Sequence, residues 1–212
     1  MENTTSLSDF VHRFVPAQDA QAPTLLLLHG TGGTENDLLS VGRMLVPGAA
    51  QLSPRGRVLE NGVESRFFRR LSEGVFDVAD LRYRTHELAD FVQVASQEYH
   101  FDLARVVAVG YSNGANIAAS MLLLRPAVLA GAILLRPLVP FVPEFPPDLS
   151  AKAVFMSAGH HDPIAAPEQT TQLEQILRSA GAQVTVHWLN GGHAISHEDI
   201  REGKLWLQRY SF

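Results

Sequence analysis

Cysteine is missing from this chain altogether. Its absence excludes disulfides, thiolate metal centres and a thiol nucleophile. Positive charge is also short: 17 Lys and Arg stand against 22 Asp and Glu, for a formal net charge of −5 at pH 7. No basic footprint is left for a nucleic acid partner, and none is expected. Long apolar runs are missing too. The longest, Ala127 to Leu135, has nine residues and includes a glycine, well under the roughly 18 needed to cross a bilayer. No membrane partner is expected. The N-terminal MENTTSLSDF lacks the charged-then-apolar form of a secretory signal, so the expected location is cytoplasmic. Histidines are present, but His160, His161, His187 and His197 show no HExxH or comparable ligand spacing. Neither a metal nor a cofactor is expected.

What is present suits one domain over residues 1–212, since a chain of 212 residues with 46% hydrophobic residues buries about 70% of its unfolded surface. Apolar runs at Thr24–Leu28, Val106–Val109, Gly131–Leu135 and Ala153–Ala158 read as strands, most of them buried on both faces, and Ala49–Leu52 and Gln183–Trp188 read as two more. Helical patterns at Asn36–Val46, with Thr34 or Asn36 as cap, Asp77–Tyr99, Glu168–Ala180 and Ser196–Tyr210 alternate with them. Asp9–Pro16 reads as an edge strand and residues 53–76 as a long irregular connection. The fold class is therefore α/β, a mostly parallel sheet with helices on both faces and no separate lid domain.

The chemistry centres on Arg105 to Ala119, RVVAVGYSNGANIAA. An apolar strand runs into Gly110-Tyr111-Ser112-Asn113-Gly114, a G-x-S-x-G, and then into a helix. That order is the context of a nucleophile elbow, a strained turn that exposes the serine hydroxyl above the sheet. Gly110 and Gly114 are expected where strand and helix pass too close for side chains. A serine hydroxyl needs a base, and the base an orienting carboxylate. In open α/β sheets these lie past the C-terminal ends of strands. Asp162 follows Ala153–Ala158, and His193 follows Gln183–Trp188. The order Ser112, Asp162, His193 is that of the α/β-hydrolases. The loop His29-Gly30-Thr31-Gly32-Gly33-Thr34 has neither a G-K-[ST] nor a G-x-G-x-x-G, and it reads as backbone N–H facing the crevice of Ser112. His29 itself is expected to pack at the strand end.

Taken together, SPRG, FFRRL, GVFD, GYSNGAN and a proline-rich segment resemble the phospholipase/carboxylesterase branch of the α/β-hydrolase superfamily. That branch includes the acyl-protein thioesterases, and within it the motifs are similar to bacterial carboxylesterases linked to quinone and catechol stress. The resemblance, from about Leu26 to Ile200, implies Ser112 as nucleophile, His193 as base and Asp162 as its partner. It also implies an oxyanion hole formed by the backbone N–H groups of Thr31 and Asn113. Many relatives carry Gln at position 113. Because the N–H does the work there, the Asn113 side chain is expected to matter little. Dienelactone hydrolases share the fold but use Cys.

The expected function is a serine hydrolase that cleaves carboxylic esters of small or short-chain acyl groups through an acyl-enzyme. The alternatives are a thioesterase or lysophospholipase of the same mechanism, or a non-catalytic binding protein on the same fold. Candidate substrate-binding residues are Phe67, Phe68, Tyr111, Leu138, Phe141 and Ile164, with plain core as the other reading of the three phenylalanines. Residues 137–147 contain five prolines and several apolar side chains, and they read as a wall of the acyl site. Such a wall also suits contact with a second copy, which makes a homodimer a partner expectation.

Overall fold

The computed structural model describes residues 6–210 and 212; MENTT at the start of the N-terminal stretch lies outside them. Strands β1 (His12–Val15), β2 (Thr24–Leu28) and β3 (Ala50–Pro54) are followed by four short ones, β4 (Val58–Glu60), β5 (Glu64–Arg66), β6 (Arg70–Ser72) and β7 (Val75–Phe76). Then come β8 (Val106–Tyr111), β9 (Gly131–Leu135), β10 (Ala153–Gly159) and β11 (Gln183–Leu189). The main sheet runs β1-β3-β2-β8-β9-β10-β11. β1 pairs antiparallel with β3, and the other pairs are parallel.

The unbroken apolar runs have a direct cause. All five residues of β2 are buried, and they alternate between two cores. Leu26 and Leu28 join Ala108, Leu134 and Met156 on one side. Leu25 and Leu27 join Val107, Val109, Ile133 and Phe155 on the other. Helices α2 (Val78–Tyr99), α3 (Asn113–Leu124) and α4 (Pro167–Ser179) supply the first core. Helices α1 (Leu39–Leu45) and α5 (His197–Leu207) cover the second. Among the described residues no helix is long and apolar enough to cross a membrane.

Two expectations require correction. The helix expected from Asn36 starts at Leu39, and its N-terminus has no side-chain cap. The polar residues before it bond to one another instead: the Thr34 hydroxyl donates to Asp37 at 2.7 Å and Asn36 to Glu35 at 3.1 Å. Such local bonds compete with the helical backbone. The stretch 53–76 is not irregular. It forms two antiparallel hairpins, β4–β5 and β6–β7, with strands too short to show a period.

The tightest approach lies where α3 begins. A Cβ on Gly114 would sit 1.9 Å from the Leu28 carbonyl oxygen, and one on Gly110 would sit 2.4 Å from that of Gly114. Both obstacles are backbone, so neither can rotate away. The crowding thus involves the neighbouring strand β2 as well as the strand that leads into the helix. Gly114→Ala is expected to destabilise the protein by about 3 kcal/mol or more, the upper end for overpacking, read as a lower denaturation midpoint at unchanged slope.

Candidate active site

Ser112 sits between β8 and α3 with φ +52° and ψ −114°, a backbone region costing on the order of 1–3 kcal/mol for a residue with a side chain. Its N–H donates to the carbonyl of Leu135 at 2.9 Å, and its own carbonyl accepts from Asn116 at 3.0 Å. The turn is therefore bonded to β9 on one side and opens α3 on the other. The hydroxyl is left pointing at an imidazole.

That imidazole belongs to His193, in the loop after β11. Its Nε2 lies 2.9 Å from Ser112 Oγ, and its Nδ1 lies 2.8 and 3.0 Å from the two carboxylate oxygens of Asp162. The Asp162 carboxylate is fully buried, while His193 keeps 16% of its side-chain surface exposed. Asp162 also accepts the N–H groups of Ile164 at 2.8 Å and Ala165 at 2.9 Å. These bonds satisfy a buried carboxylate and fix its rotamer. With Nδ1–H held by Asp162, the lone pair of Nε2 faces the serine, the tautomer a general base needs. The loops that carry Asp162 and His193 are also joined directly, since His161 N–H donates to the carbonyl of Gly191 at 3.0 Å.

The neighbours of Ser112 are held by the segment after β4. Arg66 Nη1 donates to the Thr31 hydroxyl at 2.6 Å and Nε to the Phe68 carbonyl at 3.2 Å. Phe67 N–H donates to the side-chain oxygen of Asn113 at 2.7 Å. Gly32 N–H donates to Ser65 at 2.9 Å. The backbone N–H groups of Thr31 and Asn113 themselves donate to no acceptor among the described residues. His29 packs at the end of β2, as expected: its Nδ1 bonds to the Gly30 carbonyl at 2.6 Å and its Nε2 accepts from Gly56 N–H at 2.9 Å. The Asn113 side chain has a structural part as well, because it receives a buried N–H that has no other partner.

Comparison with known proteins places the chain in a family. The model of the dienelactone hydrolase family matches residues 14–203. The chain belongs to that family. It is 50% identical over 184 residues to MhqD of Bacillus subtilis (strain 168), named as a hydrolase, covering 87% of this chain and 92% of that protein. The crystal structure of the Bacillus cereus carboxylesterase superposes with a TM-score of 0.93 at 46% identity, over 96% of this chain and 95% of that one. A carboxylesterase from Mesorhizobium loti follows at TM-score 0.86 and 30% identity, over 94% of each chain. The protein is a hydrolase of the carboxylesterase type. As a family member without cysteine, it carries Ser112 at the elbow.

Around Ser112 lies an open cavity of about 330 Å³. Of the residues named from sequence, Thr31, Tyr111, Ser112, Asn113, Leu138, Ile164 and His193 line it. Phe67, Phe68 and Phe141 do not; they are buried in the core. Phe67 packs on His29 at 4.7 Å between ring centroids, Phe68 meets Phe76 edge-on at 5.1 Å, and Arg82 lies 4.3 Å over the ring of Phe141. Sequence reasoning missed Glu64, Arg66, Arg70, Glu73, Phe76 and Asn116 in the lining. The charges of SRFFRR were the available signal, unusable without the hairpins that turn them inward. Among the described residues no cluster of metal-binding side chains occurs. The proline-rich segment does reach the site, with Leu138 N–H donating to Asn116 at 2.7 Å and Val139 N–H to Gln169 at 3.2 Å.

Two outcomes follow from these contacts. Asn113→Ala strands the buried N–H of Phe67 and is expected to cost about 1–3 kcal/mol of stability, measured by denaturant titration. Burial lowers the pKa of His29, against the opposing pull of its bond to Gly30 and of nearby Asp37 and Glu35. Neutral His29 is therefore favoured in the folded protein and takes up its proton more readily when unfolded. Its contribution to stability is complete above about pH 6.5 and declines as the pH falls below that value. His29→Gln is expected to flatten this limb in unfolding free energies measured between pH 7.5 and 5.

Proposed function

We propose that the protein cleaves carboxylic esters of small or short-chain acyl groups through an acyl-enzyme on Ser112. The observation that carries this reading is the continuous hydrogen-bonded line from Asp162 through His193 to Ser112. Ser112 Oγ attacks the ester carbonyl while His193 Nε2 takes its proton. The same nitrogen then returns the proton to the departing alkoxide. Water, activated in turn by His193, releases the acid and restores the serine. Asp162 holds the imidazole in orientation and stabilises the cation that forms.

The N–H groups of Thr31 and Asn113 are the donors for the oxyanion. They are free of other acceptors among the described residues, and each such donor is worth about 3 kcal/mol in the transition state. The dipole of α3 points the same way. A cavity of about 330 Å³ lies at the small end of ligand pockets, which favours short acyl chains. Tyr111, Leu138 and Ile164 supply the contacts for the acyl group.

Ser112→Ala is expected to lower kcat on the order of 10⁶-fold, with His193→Ala similar and the double variant little worse. Asp162→Asn is expected to lose on the order of 10⁴-fold through the wrong imidazole tautomer. Initial rates on a series of p-nitrophenyl esters, acetate to decanoate, test both chemistry and chain length. Full turnover by folded Ser112→Ala, or a maximum at decanoate, contradicts the corresponding half of the reading.

A further inference from the structure

Arg136 stands one residue beyond β9, and the mechanism above does not use it. It has a positive φ of +58°, and its side chain is 1% exposed. A guanidinium carries five N–H donors, and here all five are engaged. Nε donates to the carbonyl of Gly192 at 2.8 Å, and Nη2 donates to that of Ala194 at 3.0 Å. Nη1 reaches Asp199 at 2.7 Å and Ser157 at 3.1 Å, and Nη2 reaches the other Asp199 oxygen at 2.9 Å. The two carbonyls are those immediately before and after His193.

The opposite end of the same contact explains its use. Leu135, the residue before Arg136, accepts the N–H of Ser112 at 2.9 Å. Two consecutive residues at the end of one strand thus hold both partners of the proposed proton transfer, one through the serine backbone, the other through the histidine loop. That loop contains Gly191 and Gly192 and no regular structure, so it has little stiffness of its own. Asp199 anchors the far side of the guanidinium. It is itself fixed as part of the capping box that starts α5, and it accepts from Ser157 and Ser196.

The geometry points to Arg136 as a positioning residue that sets the distance between Ser112 Oγ and His193 Nε2. The inference rests on the Ser112–His193–Asp162 reading above. Lysine retains the charge but has no planar fork, so it cannot span both carbonyls and the carboxylate. Arg136→Lys is therefore expected to lower kcat about 10- to 100-fold, the scale of a misplacement near 1 Å. KM should stay within about twofold.

The test pairs steady-state kinetics with the rate at which a fluorophosphonate labels Ser112, both well below the melting midpoint of each variant. In Arg136→Lys the labelling rate should fall in step with kcat. A purely structural role would lower only the melting midpoint, so folded Arg136→Lys with wild-type kcat and labelling overturns the inference. If that variant does not fold, Asp199→Asn decides in the same assays: it frees one side of the guanidinium, several-fold loss of kcat supports positioning, and full kcat overturns it. Failure of the wild-type protein to be labelled removes the triad reading and this inference with it. Labelling of the wild type with no change in the variants removes this inference alone.

Discussion

One contact governs the geometry of the molecule: the start of α3 pressed against the carbonyl end of β2. No atom beyond the backbone fits between Gly114 and Leu28. The chain therefore has to reverse within a single residue, and that residue is Ser112, at positive φ. A strain of about 1–3 kcal/mol persists only where its surroundings over-determine it. Here the surroundings are a sheet buried on both faces, with leucines of β2 reaching into two separate cores. The exposed hydroxyl is thus a consequence of close packing well beneath it.

Around this turn the charges are paired beside loops and are scarce inside the sheet. Arg66 meets Glu60 below the Gly30–Gly33 loop, and Arg136 meets Asp199 below the His193 loop. For Asp199, burial pushes the pKa up, and the bonds from Arg136, Ser157 and Ser196 outweigh it and hold the carboxyl low. Removing one member of a fully buried pair such as Arg136–Asp199 typically costs about 3–5 kcal/mol, because the other is left uncompensated. The Arg136–Asp199 pair joins residues 63 apart in sequence, so the His193 loop, which has no regular structure, acquires a definite position from fixed charge geometry.

How much could be read from the chain alone follows the same physics. Strands buried on both faces announce themselves as apolar runs, and Thr24–Leu28 and Gly131–Leu135 were legible to the residue. Ser112 and Asp162 were legible because each follows such a run, and His193 because it follows the half-buried strand β11. The hairpins were not. Their strands have two or three residues, and Leu59, Val63, Leu71 and Val75 are exposed, so no period separates them from loop. The start of α1 was hidden by side chains that bond to one another. Phe67, Phe68 and Phe141 were ambiguous because aromatic composition does not distinguish a wall from its backing. Arg136 left no trace, since a single arginine before a proline gives no sign of five acceptors gathered from three other segments.

The hairpin β6–β7 places Arg70, Glu73, Gly74 and Phe76 on the cavity, yet it takes no part in the main sheet. It is fastened at its base, by Arg70 to Glu60 and by Arg69 to Asp77 and Asp80. Part of the cavity wall is therefore carried by a ribbon that shares no strand with the sheet beneath Ser112. Its length and side chains can change without a change in that sheet, so the shape of the cavity and the position of the serine are set by separate parts of the chain.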